Sequence, residues 1–162
     1  MHKIQFLGVF LLTATLAACG FHLRGSYELP AYLSPLYIDK ESMSLQLFRE
    51  LRSTLKLSGA ELTEDAAEAS SALKADFEQQ TRDVISVDSL GRAREYRLIY
   101  RQTLSLQTGD YTAIDSSRIE LTRNLLFNPV TVLGVAEETD LIYNDMIADT
   151  ARQIVQRMQA LE

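Results

Sequence analysis

The sequence predicts an α+β fold: two amphipathic helices packed on one face of a roughly four-stranded, mostly antiparallel sheet, a two-layer sandwich. Three observations predict it. Apolar residues recur at three- and four-residue spacing in two separate stretches, one after Ser44 and one running to the C-terminus. Between those stretches, apolar and polar residues alternate along three runs. Short clusters of Gly, Asp, Ser and Thr separate the runs at hairpin spacing.

The chain begins with a segment that is not part of this fold. Met1 to Ala18 has a basic start at Lys3, an apolar stretch from Ile4 to Leu12 and small residues before Cys19, which is export-signal architecture and too short for a membrane span. Leu16-Ala17-Ala18-Cys19 suits a lipoprotein signal peptidase, which cuts once the cysteine thiol carries a diacylglyceryl group; acylation of the new amino terminus completes the anchor. Each buried methylene contributes roughly 0.8 kcal/mol, and two or more chains hold where one does not. Cys19 is the only cysteine, so it has no internal disulfide partner. The expected organisation is a removed signal peptide 1–18, a lipidated tether 19–34 with the anchor on Cys19, and a single domain 35–162. Cleavage removes one charge, Lys3, and moves the formal net charge from −6 to −7. That total gives no indication of nucleic-acid binding or of a broad cationic membrane face.

Leu36-Tyr37-Ile38 reads as a short first strand. Ser44 is placed to cap a helix with Leu47, Phe48, Leu51 and Leu55 inward, and Gly59 supplies its left-handed stop. Glu61 to Ser71, acidic and alanine-rich, is expected to be a connection. Leu73, Ala75 and Phe77 then share a parity with Ile85 and Val87, against Lys74, Asp76 and Glu78, which predicts a long half-exposed strand. Asp88-Ser89-Leu90-Gly91 is a turn. Beyond it Tyr96, Leu98, Tyr100, Leu104 and Leu106 alternate against Glu95, Arg97, Arg101, Thr103 and Ser105, with Ile99 as the exception. Thr108-Gly109-Asp110 makes a second turn before a third run, Thr112 to Asn124, whose middle, Asp115-Ser116-Ser117-Arg118, is polar on both faces and fixes no register. Asn128-Pro129 breaks the pattern. Glu137, Glu138 and Asp140 are expected near the positive end of a final helix. Tyr143, Ile147, Ala151, Ile154, Met158 and Leu161 form its apolar stripe.

Catalytic apparatus is missing from this pattern. After residue 18 the one histidine is His22, three residues from the acylated cysteine, so neither a Ser-His-Asp nor a Cys-His system is available. Zinc-type clusters of His and Cys are absent, Glu61 to Glu68 lacks the ligand alternation of a calcium loop, and Gly91 and Gly109 stand singly rather than in a phosphate loop. Nothing suggests a carboxylate pair at glycosidase spacing. No cofactor is expected.

Arg92, Arg94, Arg97 and Arg101 depart from the acidic background, with Glu95 alone among them. Arginine presents a planar fork suited to phosphate and carboxylate. Arg97 and Arg101 share the parity opposite Tyr96, Leu98 and Tyr100, on the outer sheet face. Two readings stand: a solvated face paired across strands with Asp76, Glu78 and Asp83, or contact with an anionic ligand or a partner protein.

Four segments together carry a family resemblance: Cys19-Gly20-Phe21-His22-Leu23-Arg24-Gly25, Leu55-Lys56-Leu57-Ser58-Gly59-Ala60-Glu61, Arg94-Glu95-Tyr96-Arg97-Leu98, and Asn128-Pro129 ahead of a long terminal helix. They resemble the LptE (RlpB) family of lipopolysaccharide-assembly lipoproteins over essentially the whole chain. The resemblance implies a non-enzymatic lipoprotein of the outer membrane that sits as a plug in the lumen of the lipopolysaccharide-translocating (LptD-like) β-barrel. It implies help in assembling that barrel and in delivering lipopolysaccharide to the outer leaflet, with direct lipopolysaccharide binding in some members. Gly20 after the cysteine, rather than aspartate, resembles the signal for release to the outer membrane. Where some relatives carry a basic residue at the hairpin tip and another after the Asn-Pro pair, this chain has Ser89-Leu90 and Val135, leaving Arg92 and Arg94 as the nearest basic groups. The competing reading is an accessory lipoprotein subunit of another envelope lipid-transport complex.

Overall fold

The computed structural model describes residues 29–126 and 132–161. The export leader, Cys19 and the Asn128-Pro129 pair lie outside the described residues. A 3-10 turn, Ala31–Leu33, leads into β1, Leu36–Ile38; α1 spans Leu45–Leu57; β2, Leu62–Thr63, precedes the three long strands β3, Ser71–Val87, β4, Ala93–Thr108, and β5, Tyr111–Leu126; α2 spans Val132–Gln159. Leu33 is fully buried in the core, so the folded body takes in part of the expected tether.

One sheet has the order β2-β1-β3-β4-β5. β1 runs parallel to both β2 and β3, while β3, β4 and β5 form an antiparallel meander. The expected class holds with one strand more than predicted: Leu62–Thr63 lies inside the stretch read as a connection. Two residues carry no alternation; their strand character comes from pairing with Leu36 and Tyr37, a non-local fact.

Helix α1 forms where the sequence places it. The Ser44 hydroxyl accepts the Leu47 N–H at 3.2 Å. At the other end Gly59 has φ +75°, Ala60 N–H reaches the Leu55 carbonyl and Gly59 N–H that of Lys56, so two otherwise orphaned carbonyls are satisfied. Leu47, Leu51 and Leu55 point into the core. Helix α2 starts at Val132 and its first turn holds no acidic residue, so Glu137, Glu138 and Asp140 sit beyond the dipole's positive end and the expectation for them is corrected. Its buried stripe is the predicted one from Tyr143 to Met158, widened by Thr139, Met146, Thr150 and Val155, whereas Leu161 lies past the helix end and is only partly buried.

Both helices cover one face. On β4 the even-numbered residues Leu98, Tyr100, Gln102, Leu104 and Leu106 are buried beneath them, joined by Ile119 and Leu125 of β5. Three contacts fix the course of α2 along the sheet. The Tyr143 hydroxyl donates to the Thr81 carbonyl at 2.8 Å, Arg123 pairs with Asp149, and Arg157 reaches Ser117 and the Arg118 carbonyl.

β3 departs from strict alternation. A bulge between Ala75 and Phe77 leaves Asp76 without a register partner on β4 and reverses the parity of the residues from Phe77 to Val84, where the register shifts again. Leu73 and Ala75 are buried, as expected, but Phe77 turns outward and is about half exposed, while Glu78 turns to the helix side. A further irregularity, on β5, sets Asp115 and Ser116 against Ser105, with Ser116 at φ +49°. The doubly polar stretch is therefore where the register shifts.

β1 pairs with β3 only over Ser71–Leu73. Beyond it β3, β4 and β5 continue as a three-stranded arm with α2 along one face and the Asp88–Gly91 turn at its tip. This arm carries the candidate site.

Candidate functional site

The four predicted arginines do not form one cluster. Arg92 closes the tip: Asp88 Oδ1 accepts the N–H groups of Leu90 and Arg92, both at 2.9 Å, and Asp88 Oδ2 accepts Arg92 Nε at 2.7 Å. The backbone and side chain of Arg92 hold the Asp88 carboxyl below the usual range. Gly91, at φ +77°, lets the turn close in this form.

Arg97 and Arg101 lie on the uncovered face, as their parity predicts. Arg101 pairs with Glu120 at 2.9 Å and reaches the Gln79 side chain; Arg118 shares the same carboxylate. Both guanidinium groups pull the Glu120 carboxyl below its ordinary value, Arg101 foremost. The expected partners Asp76 and Glu78 are engaged elsewhere. Asp76 accepts the Ser105 hydroxyl, and the bulge has carried Glu78 to the other face. Arg97 stands in register with Asp83 and Asn124, with no ion pair to either strand among the described residues. Arg94 is exposed two residues before Tyr96.

On this face Asn124 donates to Glu95, and Ile99 is buried in line with Thr81 and Thr122. It is a polar, charge-alternating surface, with no covering layer among the described residues, about 25 Å long over the eight residues from Glu95 to Gln102.

Two features escape the sequence reading, both caused by the bulge. Glu78 becomes a junction: Oε2 accepts the Ser44 N–H at 2.7 Å, and Oε1 accepts the Ser44 and Tyr100 hydroxyls at 2.7 and 2.8 Å. Burial, reinforced by the Glu78 charge, pushes the Tyr100 phenol up, so it remains a donor. Arg82, now on the helix side, places its guanidinium carbon 4.8 Å from the centre of the Tyr96 ring. It also acts electrostatically on the buried Tyr143 phenol, lowering its pKa against a larger upward push from burial.

Among the described residues no group of three or more His, Cys, Asp or Glu could hold a metal ion, and no helix is long and apolar enough to cross a membrane. The geometry offers surfaces for contact.

The family model for lipopolysaccharide assembly, LptE, matches residues 33–158. The chain belongs to this family. It is similar to the LPS-assembly lipoprotein LptE of Pectobacterium atrosepticum, 29% identical over 159 residues covering 97% of this chain and 85% of the relative. The likeness to that of Photorhabdus laumondii is also 29%, covering 97% and 86%. Among solved structures, lipoprotein B from Nitrosomonas europaea superposes with a TM-score of 0.72 at 26% identity, covering 87% of this chain and 91% of that one. Rare lipoprotein B from Shewanella oneidensis gives 0.64 at 26%, covering 76% and 90%. Family membership makes this an LPS-assembly lipoprotein with an accessory, non-enzymatic role.

Proposed function

We propose that the protein is exported, cleaved before Cys19 and acylated there, and that it serves in the outer membrane as a plug and assembly partner of the lipopolysaccharide-translocating barrel. The observation that carries this reading is the family match across 33–158, almost the whole folded body. The uncovered face of the arm supports it. Barrel lumens are polar, and such a lumen accepts a surface whose charges are in part internally paired, at Arg101, Arg118 and Glu120. Exposed pairs of this kind add only about 0–1 kcal/mol to stability, so their value lies in matching a polar wall. Arg97, without an ion pair among the described residues, is the cation on this face best placed to meet an acidic group of the wall.

Acylation at Cys19 would keep the folded body at the membrane while it occupies its host. The test uses the full-length chain. Palmitate label is expected to enter the wild-type protein but not Cys19→Ser, and a β-barrel is expected to co-purify with the wild type in mild detergent. Co-purification of an inner-membrane complex instead, or wild-type protein that never takes up palmitate, overturns the reading.

A further inference from the structure

β5 is the outermost strand of the sheet, and no strand lies on its other side among the described residues. From Leu104↔Ser117 to Glu95↔Leu126 its register with β4 is unbroken, so residues 117–126 present about 30 Å of straight edge. Counted from the closing pair Thr108↔Tyr111, the even-numbered residues of β4 bond β5, and their partners over this stretch are the odd ones. The even residues of β5 therefore direct N–H and C=O away from the sheet, an open row that templates another strand unless something covers it. Helix α2 covers part of it. The helix runs alongside β5 in the opposite direction: Asp149 holds Arg123, and further along Arg157 reaches the Ser117 hydroxyl and the Arg118 carbonyl. Arg123 also lies on the Thr122 carbonyl at 3.1 Å. Two carbonyls of the open row, at Arg118 and Thr122, are thus occupied by guanidinium groups. Those of Glu120 and Asn124 take no side chain of this kind.

The same edge is complementary to itself in one register. Two β5 edges paired antiparallel about a two-fold axis at Ile119 set Arg118 of each copy opposite Glu120 of the other, with opposite charges facing and both residues drawn from the open row. Centring one residue to either side sets Arg118 or Glu120 against its own copy, a like-charge pair. Centring on Leu121 or Thr122 opposes no charges of opposite sign. The side chains of Arg118 and Glu120 are 62% and 39% exposed, so both remain within reach of a second chain. We propose that the β5 edge docks a second copy of this chain, antiparallel about Ile119, and that Arg157 shuts the edge in the single chain by holding the Arg118 carbonyl. The paired state belongs to chains outside a host barrel, so it stands or falls separately from the plug reading.

The test follows the full-length lipoprotein in detergent by sedimentation velocity, with the bound detergent subtracted. Arg157→Met keeps the apolar stem and removes the fork, and is expected to tighten dimerisation about tenfold over wild type. In that background Arg118→Glu, which opposes like charges, is expected to return dimerisation to the wild-type level or below, and adding Glu120→Arg is expected to restore it. Arg49→Gln, on α1, is expected to change nothing. A second pair of measurements leaves Arg157 in place: the wild type at about 1 mM is expected to form the same dimer, and Arg118→Glu alone, at an exposed position, to remove it. Dimerisation by a folded Arg157→Met within twofold of wild type overturns the proposal, and so does a wild type that stays monomeric at the higher concentration. Association that ignores the reversal at Arg118, or that the exchange with Glu120 fails to rescue, overturns it as well, because the contact then lies elsewhere.

Discussion

The two ends of the sheet are built on different terms. At the proximal end β3 has β1 on one side and β4 on the other, and Leu33, Leu36, Leu51, Leu55, Leu73 and Leu106 are buried there to within a per cent or so of complete. On the distal arm β3 has only β4 beside it, and exposed Val84, Val87 and Leu90 share the surface with arginines. The first end holds the molecule together through dispersion and apolar burial. The second also buries Leu98, Tyr100 and Leu125 beneath α2, but its other face and its tip leave side chains exposed for contact. The difference teaches that the tip and the uncovered face of the arm carry little of the stability, so substitutions there and in the core should separate the two.

The sharpest way to break this division is Leu51→Ala. It removes a fully buried side chain from α1 where the neighbours cannot close the gap, and is expected to cost about 2–5 kcal/mol in urea unfolding. Leu90→Ala, at the exposed tip, is expected to change stability by less than about 0.5 kcal/mol. Similar losses at both sites would mean that the tip belongs to the core.

Next in size is the junction between the two ends. Glu78→Gln keeps the shape but removes the charge that accepts three bonds, two from Ser44 and one from Tyr100, and is expected to cost about 1–3 kcal/mol. Ser44→Ala should cost about 1 kcal/mol through loss of the helix cap. Because the two residues share bonds, the double variant should lose less than the sum of the singles. Strict additivity would remove Glu78 from the capping of α1.

That junction marks where the sequence stops being legible. Strand and helix existence is readable from alternation and from three-four spacing, which long elements repeat often enough to be recognised. The bulge at Asp76 is one extra residue with no glycine or proline to announce it, yet it decides the face of the β3 residues from Phe77 to Val84. Strict alternation therefore puts Glu78 and Arg82 on the wrong face, and the acidic partner of Arg101 lies on β5 instead of β3. The arginines on β4, which has no bulge between Glu95 and Leu104, fall on the faces their parity predicts. Register with β5 is unreadable for the reason its sequence displays: Asp115 to Arg118 is polar on both faces, so neither face selects a pairing.

A prediction of opposite sign tests the covered face. Thr150 is fully buried on α2 and its hydroxyl has no hydrogen-bond partner among the described residues, a cost that Thr150→Val removes at nearly constant shape. The variant is expected to be more stable by about 1 kcal/mol, seen as a higher urea midpoint at unchanged slope. A loss of stability would show that the hydroxyl is bonded in solution.

The smallest effect belongs to the arm's own charges. Asp88 and Glu120 have carboxyls held below their ordinary values, by Arg92 and by Arg101 with Arg118 respectively. A group depressed in the folded state stabilises it above its unfolded pKa, and that contribution fades as pH falls through the lower folded value. Both side chains should therefore keep a larger ionised fraction than ordinary carboxylates as pH falls through the usual carboxylate range, and nuclear magnetic resonance titration of each carboxyl reads this directly. Arg92→Ala is expected to return Asp88 toward its usual range without moving Glu120, since the tip and the sheet face are separate charge systems. If Glu120 moves as well, the arm titrates as one network, and the arginines of the turn and of the face act together.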